Sequence, residues 1–438
     1  MMAHRIIPKP VFTDDFKTTP YWWEQSPPQQ SGEADLPCAV DVLIIGSGYT
    51  GLHAALQTAR GGMHTLVLDS QALGAGCSTR NGGQISLGVK PCLTTLTKRF
   101  GADKAMAIRC TGEQAMNYVA DFISVENIEC DYAKVGRFLG AHNQRSFNEL
   151  ARELSAPLRK GDEQDGYLVA KSEVHHEVCT DIYAGGAVYP HHASLDPGKY
   201  HSALLKKVIS AGATAVSHVT VSKIERSGEG YLVHTGQRTV KAKKVIVATN
   251  GYTNKALSWH RRRVIPIGSY IIATEELPTE LVNQLIPTNR NICDTRKVVY
   301  YYRASPDKKR ILFGGRVSLQ ETDTRASALK LRAEMIRIFP QLESAKISHS
   351  WMGYVAFTFD KLMRAGGENG LYHAMGYCGS GIGFSSYLGM RTGLKALGHE
   401  EGATPFDSLP FSSRPLYYGH PWFLAPSLAY YKLRDRFL

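Results

Sequence analysis

The sequence predicts an α/β protein, α+β when the whole chain is counted, in which a domain wound on a parallel sheet carries an inserted domain built on an antiparallel sheet. Three observations predict this. The chain has 438 residues, and single hydrophobic cores stop growing at ~250–300 residues, so two intimate domains are expected. Between Val40 and Leu68 an apolar run, a glycine turn, a helical pattern and a second apolar run follow one another, the order of a strand–helix–strand unit. Between Val264 and Gly315 several strand-length runs are separated by short polar turns, the pattern of an antiparallel sheet.

Composition narrows the class. With 43% hydrophobic and 21% charged residues the chain is an ordinary globular protein, which excludes disorder, collagen, coiled coil and low-complexity scaffolds. Lys and Arg exceed Asp and Glu by 51 to 39, a net charge of +12. The basic residues are scattered, and the one dense run, Arg261-Arg262-Arg263, reads as a solvated turn, so no nucleic-acid partner is expected. Cys38, Cys77, Cys92, Cys110, Cys130, Cys179, Cys293 and Cys378 form no Cys-x-x-Cys pair and read as free thiols in a reducing compartment. His175-His176 and His191-His192 lack ligand-spaced neighbours, so no metal is expected. Met1 to Pro8 has no apolar signal core, and no window holds 18 consecutive apolar residues. A soluble, cytoplasmic protein without a membrane span is the expectation.

The elements follow in order. Residues 1–37, rich in Pro, Gln and aromatics, read as an arm laid over the body, because Trp22 and Trp23 are costly to leave in water. Val42-Leu43-Ile44-Ile45 has no polar alternation and predicts a strand buried on both faces. A helix runs from Tyr49 to Arg60 and is stopped by Gly61-Gly62, and Thr65-Leu66-Val67-Leu68 is the second strand. Met106, Val119, Phe122 and Ile123 predict a helix between Gly101 and Asn127, and Gln144 to Arg159 another, stopped by Gly161. Asp196-Pro197 is an N-cap followed by proline at the first helical position, opening a helix through Ile209. Strands flank the turn at Gly228, and Lys244 to Ala248 is a buried strand. Val264 to Thr274, Val298 to Arg303 and Arg310 to Gly315 are strands. Ala328, Leu331, Met335 and Ile338 mark a helix, and a glycine cluster from Gly376 to Gly383 precedes a last helix through Leu397.

The strongest local signal is Gly46-Ser47-Gly48-Tyr49-Thr50-Gly51, a G-x-G-x-x-G between a buried strand and a helix. The first glycine permits the tight turn, the second lets a pyrophosphate approach the backbone, and the third brings helix and strand together. Asp69 ends the second strand roughly 20 residues on, where an acid accepts from ribose hydroxyls. Gly74-Ala75-Gly76-Cys77-Ser78-Thr79-Arg80-Asn81-Gly82-Gly83-Gln84 is a second small-residue loop whose main chain can run against a flat ring. This is a Rossmann-type dinucleotide-binding unit.

These motifs, with Ala248-Thr249-Asn250-Gly251, Trp351-Met352-Gly353, Thr358-Phe359-Asp360 and Tyr377-Cys378-Gly379-Ser380-Gly381 following in order, resemble the D-amino-acid oxidase/sarcosine oxidase superfamily of FAD-dependent oxidoreductases over nearly the whole chain. The resemblance implies a Rossmann-type FAD-binding domain from 38–92, 186–258 and 350–400, a substrate domain from 93–185 and 259–349, and a C-terminal tail at 401–438. It implies that Gly46, Gly48, Tyr49, Thr50 and Gly51 hold the pyrophosphate, and that Asp69 and Ser70 hold the adenosine ribose. Ser78, Thr79, Arg80, Asn81, Gly82, Gly83 and Gln84 would pass along the flavin, with Val219 by the adenine. Ala248, Thr249, Asn250 and Gly251 would close the phosphate side. Gly379, Ser380, Gly381, Ile382 and Gly383 would lie at the pyrimidine end, where a helix N-terminus suits the charge of reduced flavin.

Two departures qualify the resemblance. Relatives bind FAD covalently through a cysteine on the strand reading Gly353-Tyr354-Val355 here, or through a histidine in the loop reading Ser78-Thr79-Arg80-Asn81 here, so non-covalent FAD is expected. Sarcosine-oxidase-like enzymes carry an oxygen-activating lysine on the strand reading Ile311-Leu312-Phe313-Gly314 here, which has none. The implied reaction is oxidation of an amine or amino-acid C–N bond by hydride transfer to the flavin, giving an imine that hydrolyses. Oxygen is a possible acceptor, and a dehydrogenase or an electron-carrier subunit is the alternative. Strand alternation puts Tyr300 and Tyr302 on one face and Tyr301 and Arg303 on the other. Tyr270, Tyr302, Arg303 and Trp351 are the substrate-pocket candidates, with Arg303 suited to a carboxylate. Oligomeric state is not legible.

Overall fold

A computed structural model describes residues 10–31, 35–155, 166–316 and 322–437. Two sheets dominate. The first has the strand order Val221–Ser227, Gly230–Thr235, Thr239–Val247, Ala39–Ile45, Thr65–Leu68, Thr214–Val216, with Leu371–Met375 also pairing to Thr239–Val247 and Arg364–Glu368 beyond it. Its centre is parallel, because each crossover passes through a helix or the other domain. Val42 and Ile44 enter one core with Leu52, Leu56, Val67 and Leu204. Leu43 and Ile45 enter another with Leu66, Val233 and Val245. That double burial is why the strand reads as an unbroken apolar run.

Helix Tyr49–Arg60 lies against the helix Gly381–Leu397. A Cβ at Gly389 would come within 2.5 Å of the Thr50 carbonyl oxygen, and one at Gly393 within 2.7 Å of that of Ala54. Glycine at these two positions is what lets the helices touch backbone to backbone, bringing the N-termini of both to one end of the sheet.

The second sheet has nine strands in the order Phe12–Lys17, Ile347–Phe357, Ile265–Thr274, Ile311–Gly315, Tyr300–Ala304, Asn291–Asp294, Arg137–Gly140, Gly185–Tyr189, Tyr167–Ala170. It is antiparallel except at two pairs, Phe12–Lys17 with Ile347–Phe357 and Asn291–Asp294 with Arg137–Gly140. Helix Thr324–Ile338 covers one face, and Ala328, Leu331, Met335 and Ile338 are buried there against Tyr270, Ile272, Tyr300, Tyr302 and Phe313. Each such fully buried side chain contributes ~1.5–3 kcal/mol.

Several expectations change. The arm is partly a strand, since Phe12–Lys17 forms an edge of the second sheet. Trp22 behind it is fully buried. Gly185–Tyr189 and Ile347–Phe357 belong to the second sheet, so boundaries drawn at 186 and 350 cut through strands. The helix from Gln144 ends at Leu154, and Gly161, expected to stop it, lies outside the described residues, as do Met1 to Pro8. The tail holds a helix, Leu424–Phe437. Asp196 does cap the helix Pro197–Ser210, accepting from the amides of Gly198 and Lys199. Among the described residues no helix is long and apolar enough to cross a membrane.

Candidate functional site

The glycine turn is built around its own backbone. Gly46 has φ +104°, and a Cβ at Gly51 would lie 1.9 Å from the Gly46 carbonyl oxygen, so only glycine closes the turn this tightly. Gly48 caps helix Tyr49–Arg60 without a side-chain partner. A Cβ there would stand 2.9 Å from Ser78 Oγ. The Tyr49 N–H donates to Ser78 Oγ at 3.0 Å, and the N–H groups that follow it in the first turn, with no side-chain cap, offer a site for an anion. Asp69 accepts from the Ser47 amide at 2.9 Å and the Ser47 hydroxyl at 2.6 Å, and its other oxygen accepts from the Gln71 amide at 3.0 Å. It holds the turn as well as facing the cavity.

The loop after Asp69 is held by its own side chains. Thr79 Oγ1 donates to the Gly74 carbonyl at 2.6 Å, Arg80 Nε to that of Ala75 at 2.7 Å, and Asn81 Nδ2 to those of Cys77 and Ser78 at 3.1 and 2.9 Å. Three indoles buttress it from behind. Trp22 donates to the Asn81 carbonyl, Trp23 to Thr79 Oγ1 and Trp351 to the Arg80 carbonyl, each at 2.8 Å. At the head of helix Gly381–Leu397, Ser380 Oγ donates to the Gly88 carbonyl at 2.5 Å, and Asn250 Oδ1 accepts from the Gly376 amide at 2.9 Å.

These loops enclose a cavity of about 1520 Å³ between the two sheets, well above the roughly 300–1,000 Å³ of a pocket for one drug-sized ligand. It brings together Gly46, Gly48, Tyr49, Thr50, Asp69, Ser70, Ser78, Arg80, Asn81, Gly82, Gln84, Val219, Ala248, Thr249, Asn250, Gly379, Ser380, Gly381 and Ile382. Gly51, Thr79, Gly83, Gly251 and Gly383 stand behind this lining as packing positions. An elongated dinucleotide, a glycine cradle at one end and a second helix N-terminus at the other are mutually compatible in size and chemistry, so the residues present fit FAD.

The substrate-pocket candidates do not line the cavity. Tyr270 and Tyr302 are in the core under helix Thr324–Ile338. Trp351 is fully buried against the loop it buttresses. Arg303 is buried too. Its guanidinium donates to the carbonyls of Gly83, Leu195 and Ala304 at 3.2, 3.0 and 3.0 Å, and burial pushes its pKa down to about 10. Alternation placed Tyr301 and Arg303 on one face correctly, but only Tyr301 is far enough along the strand to reach the cavity. Residues the sequence reading did not assign to the site also line it: Lys90, Arg137, Leu139, Cys293, Ser269 and, from the C-terminal helix, Leu424, Ser427, Leu428 and Tyr431. No motif or spacing in the sequence marks them, since they sit at strand ends, mid-strand and mid-helix alike.

Cys77 and Cys378 both reach the cavity. Burial pushes the Cys77 thiol up to about 11 and also raises that of Cys378, so both stay protonated and poorly nucleophilic. Gly353-Tyr354-Val355 places no cysteine or histidine at the cavity. Among the described residues no group of His, Cys, Asp or Glu could hold a metal ion.

The family described as FAD dependent oxidoreductase (DAO) matches residues 41–393. A probable oxidoreductase, OrdL, of Haemophilus influenzae is 30% identical over 85% of this chain and 86% of its own length. Gamma-glutamylputrescine oxidoreductase of Escherichia coli is 29% identical over 90% and 93%. Among solved structures, glycine oxidase from Geobacillus kaustophilus superposes with a TM-score of 0.70 at 18% identity, covering 86% of this chain and 99% of that one. L-proline dehydrogenase from P. horikoshii gives 0.69 at 17%, covering 90% and 99%. Those two likenesses carry the fold. The match over most of the chain, on a glycine cradle and cavity that fit the dinucleotide, identifies the protein as a member of the FAD-dependent oxidoreductase family with FAD as its cofactor.

Proposed function

We propose that the protein oxidises the C–N bond of an amine or amino acid. The observation that carries this reading is the single cavity running from the glycine cradle to the face of the second sheet, which leaves room for a small substrate beside the cofactor. The relatives' names point the same way, since they include a gamma-glutamylputrescine oxidoreductase and a glycine oxidase. FAD, when bound, would supply the two-electron acceptor for this oxidation, and the imine left after loss of a hydride and a proton would be hydrolysed by water.

The chain's own part is to bind, orient and shield. The first turn of helix Tyr49–Arg60 would hold the pyrophosphate, and Asp69 the ribose. The N-terminus of helix Gly381–Leu397, capped by no side chain, favours negative charge at the opposite end. The Trp22 and Trp351 hydrogen bonds fix the loop from Ser78 to Gln84, which would border the flavin. Tyr301, Leu139 and Cys293 wall the substrate space. None of the eight cysteines is joined in a disulfide, which supports work in the reducing cytoplasm.

A dehydrogenase is favoured over an oxidase by one feature. Gly314 occupies the strand where oxygen-activating relatives carry lysine, and a Cβ there would lie 2.4 Å from the Tyr301 ring. A long side chain has no room unless Tyr301 moves. Anaerobic mixing of the holoprotein with a panel of amines and amino acids tests the substrate class: bleaching of the flavin is expected, and bleaching by 2-hydroxy acids alone would overturn the reading. Reoxidation by a quinone faster than by oxygen would make the enzyme a dehydrogenase.

A further inference from the structure

We infer that Lys90 and Arg137 form an anion subsite in the cavity, beyond the dinucleotide cradle, that receives the carboxylate of an acidic amine or amino-acid substrate. The inference rests on the reading of the protein as an amine oxidoreductase and names the substrate class within it. Lys90 sits on the loop after the short strand Gln84–Ile85, and Arg137 opens the strand Arg137–Gly140 of the second sheet. The two cations thus enter one cavity from different walls.

Lys90 stands at the head of helix Gly381–Leu397, its Cε and Nζ both 3.8 Å from where Gly379 would carry a Cβ. Its side chain is open to the cavity, and it has no hydrogen bond or ion pair with a described residue. Arg137 stacks over Tyr189, with 5.1 Å from guanidinium carbon to ring centroid. Its Nε is buried without an acceptor, and it too makes no ion pair with a described residue. Burial pushes the Lys90 ammonium below the ordinary lysine range, and the charges of Arg137 and Lys361 push it the same way. The thiols that share this neighbourhood, Cys293 and Cys378, are themselves raised by burial and supply no negative charge.

Of the other acids on the lining, Asp69 holds the glycine turn and Asp435 accepts from the Lys297 and Val298 amides at 2.8 and 2.9 Å. Glu149 pairs with Arg145 at 3.3 Å, and Asp294 pairs with Arg296. Glu153, at the exposed C-terminal turn of helix Gln144–Leu154, makes no ion pair with a described residue, but it is free to solvent. Two cations brought to one stretch of cavity wall repel each other and favour an anion between them. A guanidinium fork beside an ammonium suits a carboxylate.

The test is a titration of holoenzyme with glutarate, butylamine and inorganic phosphate, read from the flavin absorbance spectrum. Glutarate is expected to bind wild type at least tenfold more tightly than Lys90→Met or Arg137→Met. Lys90→Arg and Arg137→Lys, which keep the charge and guard against a folding defect, should restore part of that affinity, and butylamine should bind all forms alike. Glutarate binding equally to wild type and both Met variants, or not at all to wild type, would overturn the subsite. Phosphate binding more tightly than glutarate would overturn its assignment to a carboxylate. A Lys90→Met enzyme with unchanged glutarate affinity but altered reoxidation by oxygen would assign Lys90 to the cofactor and overturn it as well. Failure of every amine to reduce the flavin would sink the amine reading while leaving the glutarate affinities as a separate result.

Discussion

Trp351 donates its indole N–H to the carbonyl of Arg80 at 2.8 Å across 271 residues of chain, tying the longest strand of the second sheet to the loop that borders the cofactor space. The same loop is held one residue further on by Trp22. Trp351→Phe keeps the packing and removes the donor, leaving the Arg80 carbonyl unsatisfied at a cost of about 1–3 kcal/mol. FAD should dissociate about tenfold more readily, since 1.4 kcal/mol is about one decade. Fluorescence titration of apoprotein with FAD measures this, and unchanged affinity would show that the buttress does not hold the loop.

Gly51→Ala should give colourless protein. Its Cβ would meet the Gly46 carbonyl oxygen at 1.9 Å, the Gly46 carbonyl carbon at 3.1 Å and Ile44 Cγ2 at 3.3 Å, and two of these are backbone atoms that cannot step aside. Gly236→Ala is the control, because nothing lies within 4 Å of its Cβ. The ratio of flavin to protein absorbance should collapse in the first variant and hold in the second.

Arg303→Ala should act on stability and not on substrate affinity. Removing a substrate-binding arginine, the role the sequence suggested for Arg303, would raise KM a hundredfold or more. The buried guanidinium instead satisfies the Gly83 and Leu195 carbonyls, and charged hydrogen bonds of this kind are each worth about 1.5–3 kcal/mol. The unfolding free energy from urea titration should fall by an amount of that order, with KM changed less than threefold in the enzyme that retains FAD. A large KM effect at unchanged stability would contradict the structure.

Stability should decline as pH falls below 6.5. His53 and His260 are held down to about 3 and His373 to about 4, in each case chiefly by burial. Their unfolded forms take up protons first, so stability present above pH 6.5 is lost as pH drops toward the folded values. At pH 5.5 each costs about 1.4 kcal/mol. Asp196 and Asp294, raised by burial to about 6, oppose this, each returning about 0.8 kcal/mol between pH 7.5 and 5.5. The histidines outweigh them. His53→Gln, which can still bond to the Tyr118 and Tyr200 hydroxyls that His53 contacts, should flatten the urea midpoint's dependence on pH, and an unchanged slope would remove His53 from the account.

Much of the cofactor end was legible in the sequence. The turn at Gly46, the acid at Asp69, the loop from Ser78 and the glycines before Ile382 all fall on one cavity, because each depends on chemistry carried within a few residues: a positive φ, a free helix terminus, an absent Cβ. The substrate end was not legible. Tyr270, Tyr302, Arg303 and Trp351 have the residue types of a binding pocket, yet three fill cores and one satisfies carbonyls. Lys90 and Arg137, which no motif marks, face the cavity.

By itself, then, the sequence determined the strand–glycine turn–helix unit, the order of motifs and the placing of most helices, since apolar period, caps and turn residues are local properties. On the strand Tyr300–Ala304 it determined that alternate side chains face opposite ways. Only the tertiary structure decided which of those faces meets helix Thr324–Ile338 and which meets the cavity, how far along the strand the cavity extends, and that residues 12–17 complete the sheet. A two-residue period specifies parity but carries no information about which side another element will cover. That depends on partners dozens to hundreds of residues away, whose docking is settled by the burial of both surfaces together.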